Sequence, residues 1–349
     1  MFVEDLNGKI STKDKVFWVL LALVMPEILI NMFFVKGNKN HVDDVATVIF
    51  SSGSTGEPKG VMLTHSNIFS NVQGFYQVGQ VQRDDVVMGV LPFFHSFGFT
   101  ACLCFPVGTG LSVVYHPNPL DAGIIGKMVE QYKATILIGT PTFFSAYMRK
   151  CKPEQFKTLR YAAAGAEKLK EPMVKEFIEK FGVTLFEGYG ATELSPIVSM
   201  GVPDFVGKDN KLLQIGHKFG HVGHPIPGVA AKVVNPDTWQ TLGYNQEGLL
   251  LIKGANVMKG YLKNSEKTAE VIKDGWYVTG DIATIDQDGF IKITDRLSRF
   301  SKIGGEMVPH VKVEEEILLA LGTSDPVCVV TALPDEKKGE KLLVLYVGD

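Results

Sequence analysis

Ser51-Ser52-Gly53-Ser54-Thr55-Gly56-Glu57-Pro58-Lys59-Gly60 follows the apolar run Val45 to Phe50, and its reading decides the fold. The apolar run reads as a strand, and the hydroxylated, glycine-rich segment after it as a turn. Glycines let a backbone come close to an anion, Ser and Thr hydroxyls donate hydrogen bonds, and Lys59 adds positive charge. That is the chemistry of a loop holding a triphosphate. A Walker A loop is excluded, because Pro58 and Lys59 break the required Gly-x4-Gly-Lys-Ser/Thr spacing. A solvated Gly/Ser turn would account for a fragment such as Ser54-Thr55-Gly56, but not for the whole ordered segment.

Working outward, the 349 residues suffice for a sizeable core, with 45% hydrophobic and 21% charged residues. A net charge of −3 gives no basis for a nucleic-acid partner. Four cysteines without paired metal spacing fit a reducing compartment. Cys102 and Cys104 alternate in an apolar stretch and are expected on one face of a strand. From Val42 to about Phe186, strand-like runs (Val86 to Leu91, Leu111 to Tyr115, Thr135 to Ile138, Arg160 to Ala163) alternate with helical ones (Asp121 to Tyr132, Thr142 to Lys150, Lys170 to Phe181). This alternation predicts an α/β layer architecture with a largely parallel sheet. From Gly220 to Thr294, short strands separated by Gly, Pro and Asp turns predict a β-rich subdomain.

The quoted loop resembles the phosphate loop of the adenylate-forming superfamily, which includes acyl-CoA synthetases, luciferases and peptide synthetase adenylation domains. Three further motifs follow in that family's order. Gly188-Tyr189-Gly190-Ala191-Thr192-Glu193 resembles its adenine and magnesium motif, Trp276 to Asp281 its ribose motif, and Asp295-Arg296 with Lys302 to Val308 its hinge and following loop. Pro92 to Gly98, Ala164 to Leu169 and Arg299 to Val308 are similar to one branch, the acyl-carrier-protein synthetase half of the bifunctional bacterial Aas enzymes that reacylate 2-acylglycerophosphoethanolamine. Glu4-Asp5-Leu6 and Asp14-Lys15-Val16 fit the same branch. The resemblance implies an ATP- and Mg2+-dependent fatty-acid ligase acting in phospholipid turnover. It would pass its acyl group to acyl-carrier protein, with a long-chain acyl-CoA synthetase as alternative and a non-catalytic nucleotide- or carrier-binding module as the second. A bacterial cytoplasmic setting follows, with peripheral contact of the intact protein at the cytoplasmic face of the inner membrane.

The resemblance also implies roles for residues. Ser52, Ser54, Thr55, Gly56 and Lys59 would hold the β- and γ-phosphates. Glu193 would be the magnesium ligand and Thr192 would bond the α-phosphate. Tyr189, between Gly188 and Gly190, would stack on adenine, with Ala164, Gly165 and Ala166 as the opposite wall. Asp281 would accept both ribose hydroxyls and Arg296 would reach the same sugar; a surface ion pair is the bland alternative for these two. His95 would gate the carboxylate at an acyl pocket lined by Phe93, Phe94, Phe97 and Phe99, although a histidine among aromatics is more often a core residue.

Domain expectations follow the family: a large domain over 1–294 that is incomplete at its N-terminal end, a hinge at 295–298, and part of a small lid over 299–349. Asp295 stands where the family has Gly, and Ser298 where it has Asp or Lys. The family's late lid lysine has no counterpart before Asp349, so slow adenylation is expected of this chain. The apolar run Val16 to Val35 is long enough for a bilayer, but Pro26, Glu27 and Asn31 interrupt it, and a helix packed in the first subdomain is expected instead. His217, His221 and His224 mimic zinc spacing and Asp286 to Gly289 a calcium loop; both read as turns, with no metal.

Overall fold

The computed structural model describes residues 11–25, 41–52, 58–303, 306–323, 327–335 and 339–347. Ser54, Thr55 and Gly56 of the phosphate loop, Gly304-Gly305 and the end of the Val16 to Val35 run lie outside them. The chain divides into two compact units, Met1–Asp44 and Val45–Asp349.

In the first unit, Ser11 opens helix α1 (Thr12–Val24) with a reciprocal cap. The Asp14 N–H donates to the Ser11 hydroxyl at 3.2 Å, and the Ser11 N–H to the Asp14 carboxylate at 3.1 Å. Met25 is extended, as the residue before a proline tends to be, and the helix stops there. Val16, Phe17, Trp18, Val19 and Leu20 are exposed. No helix among the described residues is long and apolar enough to cross a membrane.

The second unit begins with β1 (Val45–Ser52) and β2 (Pro58–Thr64), an antiparallel pair in which Ser52 faces Pro58. The opening segment is therefore divided: Ser51-Ser52 finish one strand and Pro58 to Gly60 begin the next. Thr64 then caps α2 (His65–Val78) reciprocally with Asn67.

The main sheet contains β3 (Val86–Gly89), β4 (Ser112–Tyr115), β5 (Ile136–Gly139), β6 (Tyr161–Ala164), β7 (Leu185–Gly190), β8 (Ile197–Met200) and β9 (His224–Pro225). Their spatial order is β9-β8-β7-β6-β5-β3-β4. The pairings from β4 to β7 are parallel, while β8 and β9 add antiparallel strands. Adjacent residues on a strand point to opposite faces. Met88, Leu137 and Ala162 therefore pack with Ile125 of α3 (Ala122–Tyr132), Phe144 of α4 (Pro141–Lys150) and Phe177 of α5 (Glu171–Phe181). Their neighbours Val87, Ile136, Ile138 and Ala163 pack with Phe75 and Phe105 on the other face. Both faces are covered, which is why these strands read as continuous apolar runs.

Cys102 and Cys104 depart from expectation. They lie in a π-helical turn, Phe99–Cys104, that continues into a helix over Phe105–Thr109, not on a strand. A short, continuously apolar run has no period that separates strand from helix. Pro106 in the first turn of the following helix was the available signal.

The next strands are β10 (Val229–Val234), β11 (Gly248–Gly254), β12 (Gly260–Tyr261), β13 (Trp276–Ile285) and β14 (Ile291–Arg296). β10, β11 and β13 form an antiparallel sheet with β14 paired to β13, while β12 returns to pair with β2. The last sheet has the order β16-β15-β18-β17 and comprises β15 (Phe300–Ile303), β16 (Glu306–Pro309), β17 (Cys328–Asp335) and β18 (Gly339–Tyr346), accompanied by helix α6 (His310–Leu321). Buried Asp295 accepts the Arg296 N–H at 2.7 Å and the Val311 N–H at 3.2 Å, satisfying a free donor in the first turn of α6.

Candidate active site

The parallel strands end toward one edge of the sheet, and the expected site residues gather there. β3 has β4 on one side and β5 on the other, so chain direction reverses around it and leaves a crevice at the carboxyl ends. The stretch carrying His95 follows β3, Ala164 ends β6, and Gly188 to Gly190 end β7. Gly165 donates its N–H to Gly139 O at 3.1 Å, and Ala166 takes a left-handed φ of 68° to turn the chain away.

One cluster centres on Asp281. β13 and β14 set it opposite Arg296, whose Nε donates to Oδ1 at 2.8 Å. The Tyr189 hydroxyl donates to Oδ2, and the Thr279 hydroxyl accepts the Asp281 N–H at 3.0 Å. Burial raises the Asp281 pKa, while the Tyr189 hydrogen bond and the Arg296 charge oppose that rise. Tyr189 is itself pushed well up, first by burial and then by Asp281. The ion pair is buried on one side only: the Asp281 side chain is 6% exposed and that of Arg296 67%.

A second cluster centres on Glu193, in the turn Thr192–Leu194. The Tyr261 hydroxyl donates to Glu193 Oε1 at 2.8 Å. Lys59 Nζ lies 5.5 Å from the centroid of the same Tyr261 ring. The Ser96 and Thr192 hydroxyls are 3.1 Å apart and share a hydrogen bond. His95 caps the turn Ser96–Gly98 by accepting the Phe97 N–H on Nδ1 at 3.2 Å, and partial burial lowers its pKa. Phe93 and Phe94 are exposed, whereas Phe97 and Phe99 pack into the core, so the four do not line one pocket.

Buried asparagines hold the Glu193 turn from behind. Asn71 Nδ2 donates to Ile197 O at 2.6 Å, and Asn71 Oδ1 accepts the Ile197 N–H at 3.2 Å. Asn256 Nδ2 donates to Leu194 O at 3.1 Å, and Asn67 Nδ2 to the carbonyls of Ala255 and Val257. The Ser195 hydroxyl donates to Asn256 O at 2.8 Å. Residue 190 must be glycine, since a Cβ there would sit 1.9 Å from Pro196 O. Sequence reasoning missed Ser96, Asn67, Asn71, Asn256 and Tyr261. Asn67 and Asn71 carried a signal, being polar residues one turn apart on the helix face that also presents Ile68, Val72 and Phe75.

At the positions with metal-like spacing, the His224 and Phe290 rings lie 3.9 Å apart at a tilt of 39°, and Lys218 pairs with Asp286 and Asp288 at 2.6 Å each. Among the described residues, no group of three or more His, Cys, Asp or Glu side chains could hold a metal ion. A single carboxylate beside hydroxyls is the donor set that suits magnesium bound largely through a nucleotide's phosphates, and Glu193 with Thr192 fits it.

A protein-family model described as AMP-binding enzyme matches residues 10–262, and the chain belongs to that family. It is 30% identical over 310 residues to a long-chain-fatty-acid--CoA ligase of Bacillus subtilis (87% of this chain, 53% of the relative). It is 33% identical over 304 residues to 4-coumarate--CoA ligase-like 3 of Arabidopsis thaliana (85% and 53%). The ATP-bound structure of MatB from Rhodopseudomonas palustris superposes with a TM-score of 0.75 at 29% identity, covering 88% of this chain and 59% of that one. O-succinylbenzoate coenzyme A synthetase (MenE) of Bacillus subtilis, in complex with AMP, gives 0.72 at 26% identity (88% and 61%). The fold is that of the adenylate-forming enzymes. The chain spans about half the length of the curated relatives it matches.

Proposed function

We propose that the protein is an ATP-dependent fatty-acid ligase working through an acyl-adenylate. The observation that carries this reading is the convergence on Asp281 of residues from separate motifs, Tyr189 and Arg296. A carboxylate fixed by two donors retains lone pairs for the vicinal hydroxyls of a ribose. Tyr189 and the Ala164 to Ala166 turn then flank the base.

In the first half-reaction a carboxylate oxygen attacks the α-phosphorus, the bond to the bridging oxygen breaks, and pyrophosphate leaves. In the second a thiol attacks the acyl carbonyl, losing its proton, and AMP leaves. Phosphoryl chemistry of this kind is accelerated chiefly by positioning and charge stabilisation. Lys59 supplies positive charge beside the triphosphate, and the motif resemblance assigns Ser52, Ser54, Thr55 and Gly56 to the same phosphates. Thr192, oriented by Ser96, donates to the α-phosphate. His95, with Nδ1 occupied by the Phe97 N–H, stands where the carboxylate enters. Glu193 with Thr192 would hold magnesium, which supplies charge neutralisation for the phosphates.

Coenzyme A is the acceptor that the names of the relatives favour. Acyl-carrier protein, and with it a role in lysophospholipid reacylation, rests on the motifs Arg299-Phe300 and Glu306-Met307-Val308. Single-turnover chemistry with labelled palmitate, ATP and Mg2+ tests the reading, followed by addition of either thiol. Acyl-AMP that transfers to coenzyme A supports it, and transfer to carrier protein alone restores the motif-based acceptor. ATP binding without any adenylate would replace it with a non-catalytic nucleotide-binding module.

A further inference from the structure

Resting on the adenylation reading, we propose that Tyr261 is a positioning residue that couples Lys59 to the Glu193 carboxylate. Tyr261 lies in Met258 to Leu262, a short strap to which no part of the proposed chemistry has been assigned. The Met258 N–H donates to Glu193 O at 2.8 Å, the Lys259 N–H to Met62 O at 3.0 Å, and the Leu262 N–H to Gly60 O at 2.7 Å. The strap thus spans from the Glu193 turn to the strand that carries Lys59, and Tyr261 pairs with Val61 midway along it.

The side chain repeats the link made by the backbone. Its hydroxyl reaches Glu193 Oε1 at 2.8 Å, while its ring lies under Lys59 Nζ. An ionised carboxylate only accepts, so the Tyr261 hydrogen is directed at Glu193. The residue is 4% exposed, which fixes its rotamer and keeps water from replacing either contact. One Tyr261 conformation therefore sets both the direction of the Glu193 carboxylate and the place of the Lys59 ammonium. A partner that orients a ligating carboxylate in this way is worth ~10- to 100-fold in metal affinity.

The test uses Mn2+ as a paramagnetic probe in the full chain, with ATP binding measured separately by calorimetry in EDTA. Tyr261→Phe keeps the ring and removes the hydroxyl. It is expected to weaken Mn2+ binding in the presence of ATP ~10- to 100-fold, with metal-free ATP affinity unchanged. Tyr261→Leu also removes the ring and should weaken both. Tyr261→Phe combined with Glu193→Gln should bind Mn2+ no more weakly than Glu193→Gln alone. Wild-type Mn2+ affinity in Tyr261→Phe overturns the assignment, as does an equal loss of metal-free ATP binding in Phe and Leu variants, which marks a structural role only. If the Phe variant does not fold, 3-fluorotyrosine placed at 261 retains the hydroxyl. Its 19F resonance must then shift when Mg2+ joins ATP, and an unmoved resonance overturns the proposal. A wild-type protein that binds no ATP sinks the adenylation reading itself, an outcome separate from variants that match wild type.

Discussion

Glu187→Gln should stabilise the protein, by an amount that grows as pH rises from about 4.5 to about 7 and levels off above it. Glu187 lies immediately before Gly188-Tyr189, on the strand that delivers the expected adenine motif. Burial pushes its carboxyl from the ordinary 4.5 up to about 7, against the opposing pull of the Leu169 N–H, 3.2 Å from Oε1, and the Lys168 charge. The folded protein thus holds this proton more tightly than the unfolded chain. Stability from the group is fully present below pH 4.5 and is lost as pH rises through about 7. At about 1.4 kcal/mol per pH unit, the interval amounts to roughly 3 kcal/mol, an upper bound reached above pH 7. A glutamine has nearly the same shape, still accepts the Leu169 N–H and carries no charge to desolvate. Urea unfolding of both proteins at pH 5 and pH 8 reads the effect. The variant should have the higher midpoint at pH 8, with most of the difference gone at pH 5. The same midpoint difference at both pH values, or a less stable variant at pH 8, would refute the desolvation argument.

Two substitutions probe how the Glu193 turn is built. Gly190→Ala places a methyl group 1.9 Å from Pro196 O, a backbone atom that cannot rotate away; a loss of about 3 kcal/mol or more is expected, and an unchanged melting midpoint would contradict it. Asn71→Ala removes the donor to Ile197 O and the acceptor for Ile197 N–H. Two buried backbone groups lose a partner, so about 1–3 kcal/mol should be lost in urea unfolding, and a neutral result would show that Asn256 suffices alone.

The layered architecture was legible because local chemistry dictates it. The apolar runs that become β3 to β7, the helical periods between them and the glycine-rich ends of β6 and β7 each act within a few residues. The ordered motifs also placed Tyr189, Thr192, Glu193, Asp281 and Arg296 in one expected site, and the structure brings Tyr189, Asp281 and Arg296 into direct contact. The run around Cys102 misled because a short, continuously apolar segment shows no period on which such readings depend.

What tertiary structure alone decided is which side chains support the chemistry. Tyr261 reaches Glu193 across 68 residues of sequence and Asn71 reaches Ile197 across 126. No spacing rule connects such pairs, because their partners are main-chain carbonyls or one oxygen of a carboxylate, and any residue type could stand beside them in sequence. The sequence by itself determined the family, through ordered motifs that agree with the family match over residues 10–262. Only the folded chain decided the aim of their side chains, because a hydrogen bond depends on distances of a few tenths of an ångström that distant strands set together.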